Sequence, residues 1–432
     1  MMGKKYVPLL VLSTILAGCS SKEHLEGTRE ELIVSGYDED MVKSTDPTPV
    51  IVDSVEEINP EFTQPHLNAE HYYFPLKFSL SPKEIWSSAL DFEASESIKM
   101  TAAPIVADGK VFCIDAAGIV YAINQKTGAR LWRVSTTLIG KDGQIGGATA
   151  YDNGRLIVTS SFAEGFSLDA KTGKILWRIK LPAACKGDGI TISDGKAFIM
   201  CSNSSLHCID INTGKTLWSH SGMLADSTFM GSSSVAVSDG VVYFAYPSGE
   251  VFALLEETGA VIWDAMLSKF SLTNAARAFS HPRACPVVKD GVVYLVSANE
   301  QTSAFNTRNG KLLWKSDFGS VQTPIVSGNS IFVFNSKSEL VCLNKNTGRR
   351  HWVKKLTKDE SKASEWLGMI LLKDHVLAVS PNGDIQFVSV YDGKIKKAMS
   401  IGGDSFSVSV NPVIANGVMY VPMNSGKVVA YR

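Results

Sequence analysis

NQKTGARLW, residues 124–132, decides the fold because it comes back along the chain. It returns as DAKTGKILW at 169–177, DINTGKTLW at 210–218, LEETGAVIW at 255–263, NTRNGKLLW at 306–314 and NKNTGRRHW at 344–352. A degenerate copy, VYDGKIKKA, occupies 390–398 and carries Lys397 where the others carry tryptophan. Through Gly128, Gly173, Gly214, Gly259, Gly310, Gly348 and Gly393 the steps are 45, 41, 45, 51, 38 and 45 residues. A period in this range, made of short strands, marks a radial or stacked repeat rather than a string of unrelated domains.

Each copy sits in the same surroundings. In the first, a short apolar run at 104–107 meets Asp108-Gly109, and an alternating run follows at 111–114. Gly118 turns the chain into 120–124, and Thr127-Gly128 turns it into 131–134. Runs of β-branched and aromatic residues separated by such pairs are four antiparallel strands joined by hairpins. Asp-Gly or Asn-Gly recurs at Asn153-Gly154, Asp194-Gly195, Asp239-Gly240, Asp290-Gly291 and Asn416-Gly417. Four strands per roughly 45 residues describe one blade of a β-propeller. The tryptophans Trp132, Trp177, Trp218, Trp263, Trp314 and Trp352 read as packing elements laid against the neighbouring blade. An indole buries a large area and asks for one N–H partner, and the repetition comes with no chemistry beside it. Small residues ahead of each turn (Ala122, Ser167, Cys208, Ala253, Ala304, Cys342) leave space for the ring.

Six full repeats and the degenerate one, at 366–399, make seven blades. The C-terminal stretch, 411–432, supplies three strands and stops, while Trp86 near the start of the body has no repeat before it. The segment 85–90 is therefore expected to pair with 426–431 and complete the last blade, removing the edges that an open array would expose. The expectation is an all-β, eight-bladed propeller of four-stranded antiparallel blades over 82–432, with seven blades as the fallback count.

Residues 1–18 read as a signal peptide: Lys4 and Lys5 precede an apolar stretch at 6–15 that is too short for a span, which needs roughly 20 residues. Leu16-Ala17-Gly18-Cys19 resembles the bacterial lipobox, in which the cysteine is lipidated and becomes the first residue of the mature protein. Acyl chains on Cys19 would hold the chain stably on a membrane. Ser20 rather than aspartate follows it, which favours the outer membrane, facing the periplasm. The stretch 19–81 is expected to be an acidic flexible tether, since 22–61 holds twelve Asp/Glu against three Lys/Arg.

The formal net charge of −1, with no basic stripe, argues against a nucleic-acid partner. Cys113, Cys185, Cys201, Cys208, Cys285 and Cys342 lack C-x-x-C spacing and read as mostly free buried thiols, although no pairing can be deduced from spacing alone. His24, His66, His71, His207, His220, His281, His351 and His375 form no close ligand pair in sequence. No G-x-S-x-G, H-E-x-x-H or P-loop string occurs. No enzymatic constellation, metal site or cofactor is expected.

The phrase A-x-N/D-x-x-T-G-x-x-x-W resembles the tryptophan-docking repeat of quinoprotein propellers. Two families use it. PQQ-dependent alcohol dehydrogenases are longer, hold calcium and a quinone on the propeller axis, and carry an adjacent cysteine pair that is absent here. The second resemblance is to the BamB family, lipoproteins of the outer-membrane β-barrel assembly machinery, which share the lipobox, polar tether and bare eight-bladed propeller. That resemblance implies a scaffold binding the periplasmic POTRA domains of BamA through two inter-blade loops. Here they correspond to 224–234 and 268–286. In the first, Phe229 keeps the family's apolar position and Gly231 its glycine, with Met230 in place of a basic residue. In the second, His281 and Arg283 stand where the family has an acidic pair, and Arg277 adds an interface-type side chain. A propeller that binds a small ligand or polysaccharide in its axial channel remains open at this point.

Overall fold

The Asp-Gly pairs set the architecture. Asp108 and Gly109 have φ of 50° and 68°, and Asp194-Gly195, Asp239-Gly240 and Asp290-Gly291 repeat the pattern. Two successive positive φ values make a type I′ turn, whose twist matches antiparallel strands. The computed structural model describes residues 45–54, 61–90, 102–115, 117–136, 147–185, 189–223, 233–267, 284–297, 301–335, 337–356, 366–401, 407–408 and 410–432. All of these belong to one compact unit, Asp38–Arg432. No helix occurs among them.

The strands form eight four-stranded sheets. Blades 1 to 7 span 105–135, 147–180, 190–221, 236–266, 287–316, 325–355 and 368–400. Blade 8 joins Val413–Ala415, Val418–Met423 and Lys427–Tyr431 to the N-terminal strand Glu84–Ala89. The closing register runs from Glu84 opposite Tyr431 to Ala89 opposite Lys427, and the Leu90 N–H donates to Gly426 O at 2.7 Å. The expected closure and the count of eight both hold. The first strand of each blade lies innermost, next to the first strands of its neighbours. Inner strands are buried, while outermost strands alternate, as in Ile175–Lys180.

Each blade carries a row of three side chains across its second, third and fourth strands. Phe112, Ala122 and Trp132 stand opposite one another, as do Tyr294, Ala304 and Trp314 or Phe332, Cys342 and Trp352. The small central residue lets the outer two rings approach, with centroids 5.9 Å apart for Phe112–Trp132 and 6.1 Å for Tyr294–Trp314. The indole then lies on the turn glycine of the next blade. A Cβ at Gly348 would stand 2.4 Å from the Trp314 ring, and φ there is +70°, so both space and backbone demand glycine. The same contact joins Trp86 to Gly128, Trp132 to Gly173, Trp177 to Gly214, Trp218 to Gly259, Trp263 to Gly310 and Trp352 to Gly393. Each of these seven indole N–H groups also donates to a carbonyl of that next blade, from 2.7 Å for Trp263 to Thr307 O up to 3.2 Å for Trp132 to Ala170 O.

Blade 7 shows why its copy is degenerate. Its row reads Leu377, Phe387, Lys397, with the bulk moved to the centre. The next blade closes with the two chain ends, paired Lys83 N–H to Arg432 O at 2.8 Å, and so offers no Thr-Gly turn for an indole. Lys397 instead donates to Ser81 Oγ at 2.5 Å.

The tether expected over 19–81 is corrected in its described part. Residues 45–54 run along blade 6, where the Asp46 N–H donates to Arg350 O at 2.7 Å and the Asn329 N–H to Ile51 O at 3.0 Å. Residues 61–81 are built into the propeller as well. Charge density fell where apolar side chains returned, at Phe62, Leu67 and Leu76, and all three are buried. Residues 1–44 and 55–60, which hold the expected signal peptide and Cys19, lie outside the described residues.

Candidate functional site

The two loops singled out by resemblance flank blade 4, the first entering it from blade 3 and the second leaving it for blade 5, and their stems are fixed side by side. The first leaves after Ser221, where the Gly222 N–H donates to Ser204 O at 3.0 Å and the Met223 N–H to Glu250 Oε2 at 2.8 Å. The second leaves at Leu267, whose N–H donates to Gly249 O at 3.0 Å. Gly249 and Glu250 belong to one turn, so both loops depart from the same corner. That corner is stiffened by Ser248 Oγ–H donating to Glu250 Oε2 at 2.7 Å. Beneath it His220 stacks on Tyr246, 5.8 Å and 8°, with Phe252 edge-on at 4.5 Å. Burial among these rings pushes the His220 imidazole down from its ordinary value, against the pull of the Glu250 carboxylate.

The returning stems touch too. Ser234 donates to Cys285 Sγ from its N–H at 3.1 Å and from its hydroxyl at 3.3 Å, and all of these groups are buried. Both ends of both loops are therefore anchored to one another through blade 4 and its neighbour. Exposed apolar side chains flank the departing stems, Met223 at 45% and Met266 at 38%. Phe229, Met230, Gly231, Arg277, His281 and Arg283 lie outside the described residues. What the structure adds is the frame that brings their loops together.

A second set of residues was missed by sequence reasoning. The segment 62–76 crosses one end of the axis, pairing in turn with the innermost strands. Phe62 and Val106 exchange backbone bonds at 2.6 and 2.9 Å in blade 1, and the Tyr151 N–H donates to Thr63 O at 2.6 Å in blade 2. Ile192 of blade 3 donates to Gln64 Oε1 at 2.7 Å, and Val237 and Val288 of blades 4 and 5 to Ala69 O and Glu70 O at 2.7 and 3.0 Å. The Leu76 N–H donates to Leu371 O of blade 7 at 2.9 Å. Asp53, further upstream, accepts from Tyr72 Oη and from Ser327 Oγ and the Gly328 N–H of blade 6, the last two at 3.1 Å.

At the centre His66 and His71 approach with ring centroids 5.0 Å apart, a pair their sequence spacing did not suggest. His71 is fully buried; its Nδ1 meets Pro286 O at 2.8 Å, and its Nε2 faces Thr191 Oγ1 and Ser234 Oγ at 3.4 and 3.3 Å. Burial, then the neighbouring His66, holds it well below the ordinary 6.5. The signal was present in the aromatic string Tyr72-Tyr73-Phe74 directly after an acidic stretch almost devoid of aromatics. These residues do not fit a calcium–quinone pair. Apolar and imidazole groups of the chain itself fill this end of the axis, and among the described residues no three His, Cys, Asp or Glu side chains are grouped to hold a metal ion.

A family model described as outer membrane protein assembly factor BamB matches residues 81–141, 116–354 and 329–432. The chain belongs to the BamB family. A BamB of Yersinia pestis is 23% identical over 357 residues, covering 81% of this chain and 89% of its own length. The crystal structure of BamB from Moraxella catarrhalis superposes with a TM-score of 0.68 at 17% identity, covering 82% of this chain and 100% of that one. A quinohemoprotein alcohol dehydrogenase from Comamonas testosteroni gives 0.64 at 13% identity, covering 87% of this chain and 81% of that one. At such identities the structural likenesses speak for the fold alone. The match to the BamB family begins at residue 81, so the axial segment 62–76 precedes the part of the chain that the family model describes.

Proposed function

We propose that this chain is a non-enzymatic scaffold subunit of the outer-membrane protein assembly complex. It is held on the outer membrane through lipidated Cys19, faces the periplasm, and binds the POTRA domains of BamA while β-barrel proteins fold and insert. Membership of the BamB family supports the assembly role. The observation that carries the partner-binding reading is the shared anchorage of the two loops on Gly249 and Glu250 and on the Ser234–Cys285 contact. A rigid frame that presents two loops together loses little conformational freedom on binding. Phe229 and Met230 would be apolar anchors, Gly231 would shape the tip, and Arg277, His281 and Arg283 would donate charge-assisted bonds to acidic POTRA residues.

The axial-ligand reading is weaker, because the backbone donors of Tyr151, Val237 and Val288 around that end are already taken by residues 63–70. Affinity co-purification from detergent-solubilised membranes tests the proposal. The wild type should recover BamA. A double variant, Phe229→Ala with Arg283→Glu, should lose it while melting at nearly the same temperature. Recovery of BamA by that variant at wild-type yield would place the binding surface elsewhere.

A further inference from the structure

The crossing from blade 2 to blade 3 carries Cys185, and the second strand of blade 3, Lys196–Cys201, ends in Cys201. Both side chains are buried, and their sulfurs lie 2.6 Å apart. Unbonded heavy atoms rest at roughly 3.5–4.0 Å, so two separate thiols do not sit comfortably at this distance. The backbone fixes the approach independently. The Ser202 N–H donates to Ala184 O at 2.9 Å, joining the residues that directly flank the two cysteines. Thr159 Oγ1 donates to Cys185 O at 3.1 Å and pins the crossing from the blade 2 side. Cys208 and Cys342, by contrast, are the small central members of tryptophan rows and face Trp218 and Trp352.

We propose that Cys185 and Cys201 form a disulfide that staples the blade 2–blade 3 crossing to blade 3. The inference rests on the periplasmic placement proposed above, because that compartment lets disulfides form and persist. The oxidant is the disulfide of a thiol oxidoreductase or of a small thiol. One cysteine thiolate attacks that disulfide and expels one thiolate. The second cysteine then attacks the resulting mixed disulfide and expels the other. One S–S bond forms, one breaks, two protons leave the cysteines, and the two electrons go to the oxidant. Each sulfur is out of water in the folded chain, so exchange belongs to folding, before blades 2 and 3 pack. Once closed, the bond is shielded from reductants.

The test uses the full-length chain in two preparations, denatured without reductant and alkylated with iodoacetamide. One is isolated from its native envelope; the other is reduced, unfolded and refolded with oxidised glutathione. Both are expected to give tryptic peptide 181–186 linked to 197–215 through Cys185 and Cys201. Reduction in denaturant should release the link and add two alkyl groups. Cys201→Ala should leave Cys185 open to alkylation only after unfolding. If Cys185 and Cys201 themselves are both alkylated in the refolded chain, the disulfide is refuted and the functional proposal stands. If the link forms on refolding but the envelope protein carries both thiols, the periplasmic reading fails, and the bond in the cell fails with it.

Discussion

Trp314→Ala is the perturbation that most sharply measures blade-to-blade docking. The indole is 4% exposed, lies against Gly348, packs 6.1 Å from Tyr294 and donates its N–H to Lys345 O at 2.9 Å. Truncation removes the buried ring, opens a cavity between blades 5 and 6 and leaves that carbonyl without its donor. Large-to-small changes of this kind cost about 3–5 kcal/mol. Trp314→Phe separates the contributions in part: it keeps one aromatic ring in the site and loses the rest of the indole with its N–H, the hydrogen bond accounting for about 1 kcal/mol of the loss. Urea unfolding followed by far-ultraviolet circular dichroism gives both values, provided the slope with denaturant is unchanged. The same change at the more exposed Trp132 should cost less, since less area leaves water there. A Trp314→Ala loss below about 1 kcal/mol, outside that range, would refute the claim that indole docking holds neighbouring blades together.

Three further outcomes follow from the same structure. A chain beginning at residue 92 lacks Glu84–Ala89 and the Trp86 dock on Gly128, and should melt far below one beginning at 45; equal melting temperatures would contradict closure of the ring by that strand. His71 is held neutral in the folded state, well below its ordinary 6.5, so the unfolded chain binds more protons below that pH. Its contribution is complete above about pH 6.5 and is lost as pH falls below it. His71→Asn should therefore flatten the fall in melting temperature between pH 7 and pH 5, and an unchanged slope would assign the acid sensitivity to other groups. Titration calorimetry with PQQ and calcium should show no stoichiometric heat, because residues 62–76 fill one end of the axis; tight binding would reopen the quinoprotein reading.

The propeller was legible because its signals are local and repeated. Asp108-Gly109 asks for a turn, Ala122 makes room, Trp132 fills it, and each choice recurs at a fixed offset. Closure was legible for the same reason, since Trp86 was a repeat element without its repeat. The strand lies one residue earlier than expected, at Glu84–Ala89 rather than 85–90, with Leu90 still bonded to Gly426. Lys397 looked like decay of the motif and proved to face blade 8, whose third and fourth strands are not joined by a glycine turn.

The axial segment was not legible, because nothing periodic marks it. Gln64, Ala69 and Glu70 each meet a different blade, contacts set by the assembled ring and by no local propensity. Cys185 and Cys201 escaped for a related reason: the backbone bond between Ala184 and Ser202 that brings them together joins different parts of the chain. For the loop tips, sequence supplied candidate side chains and the structure supplied the common base of their stems.

The central claim is that the two loops flanking blade 4 meet BamA, and site-specific photocrosslinking measures it most directly. A photoreactive residue placed at Phe229 in the full-length chain, irradiated in intact cells, should yield a covalent adduct with BamA. The same residue at Tyr391, on the exposed edge of blade 7, should not. An adduct from Tyr391 with none from Phe229 would contradict the account.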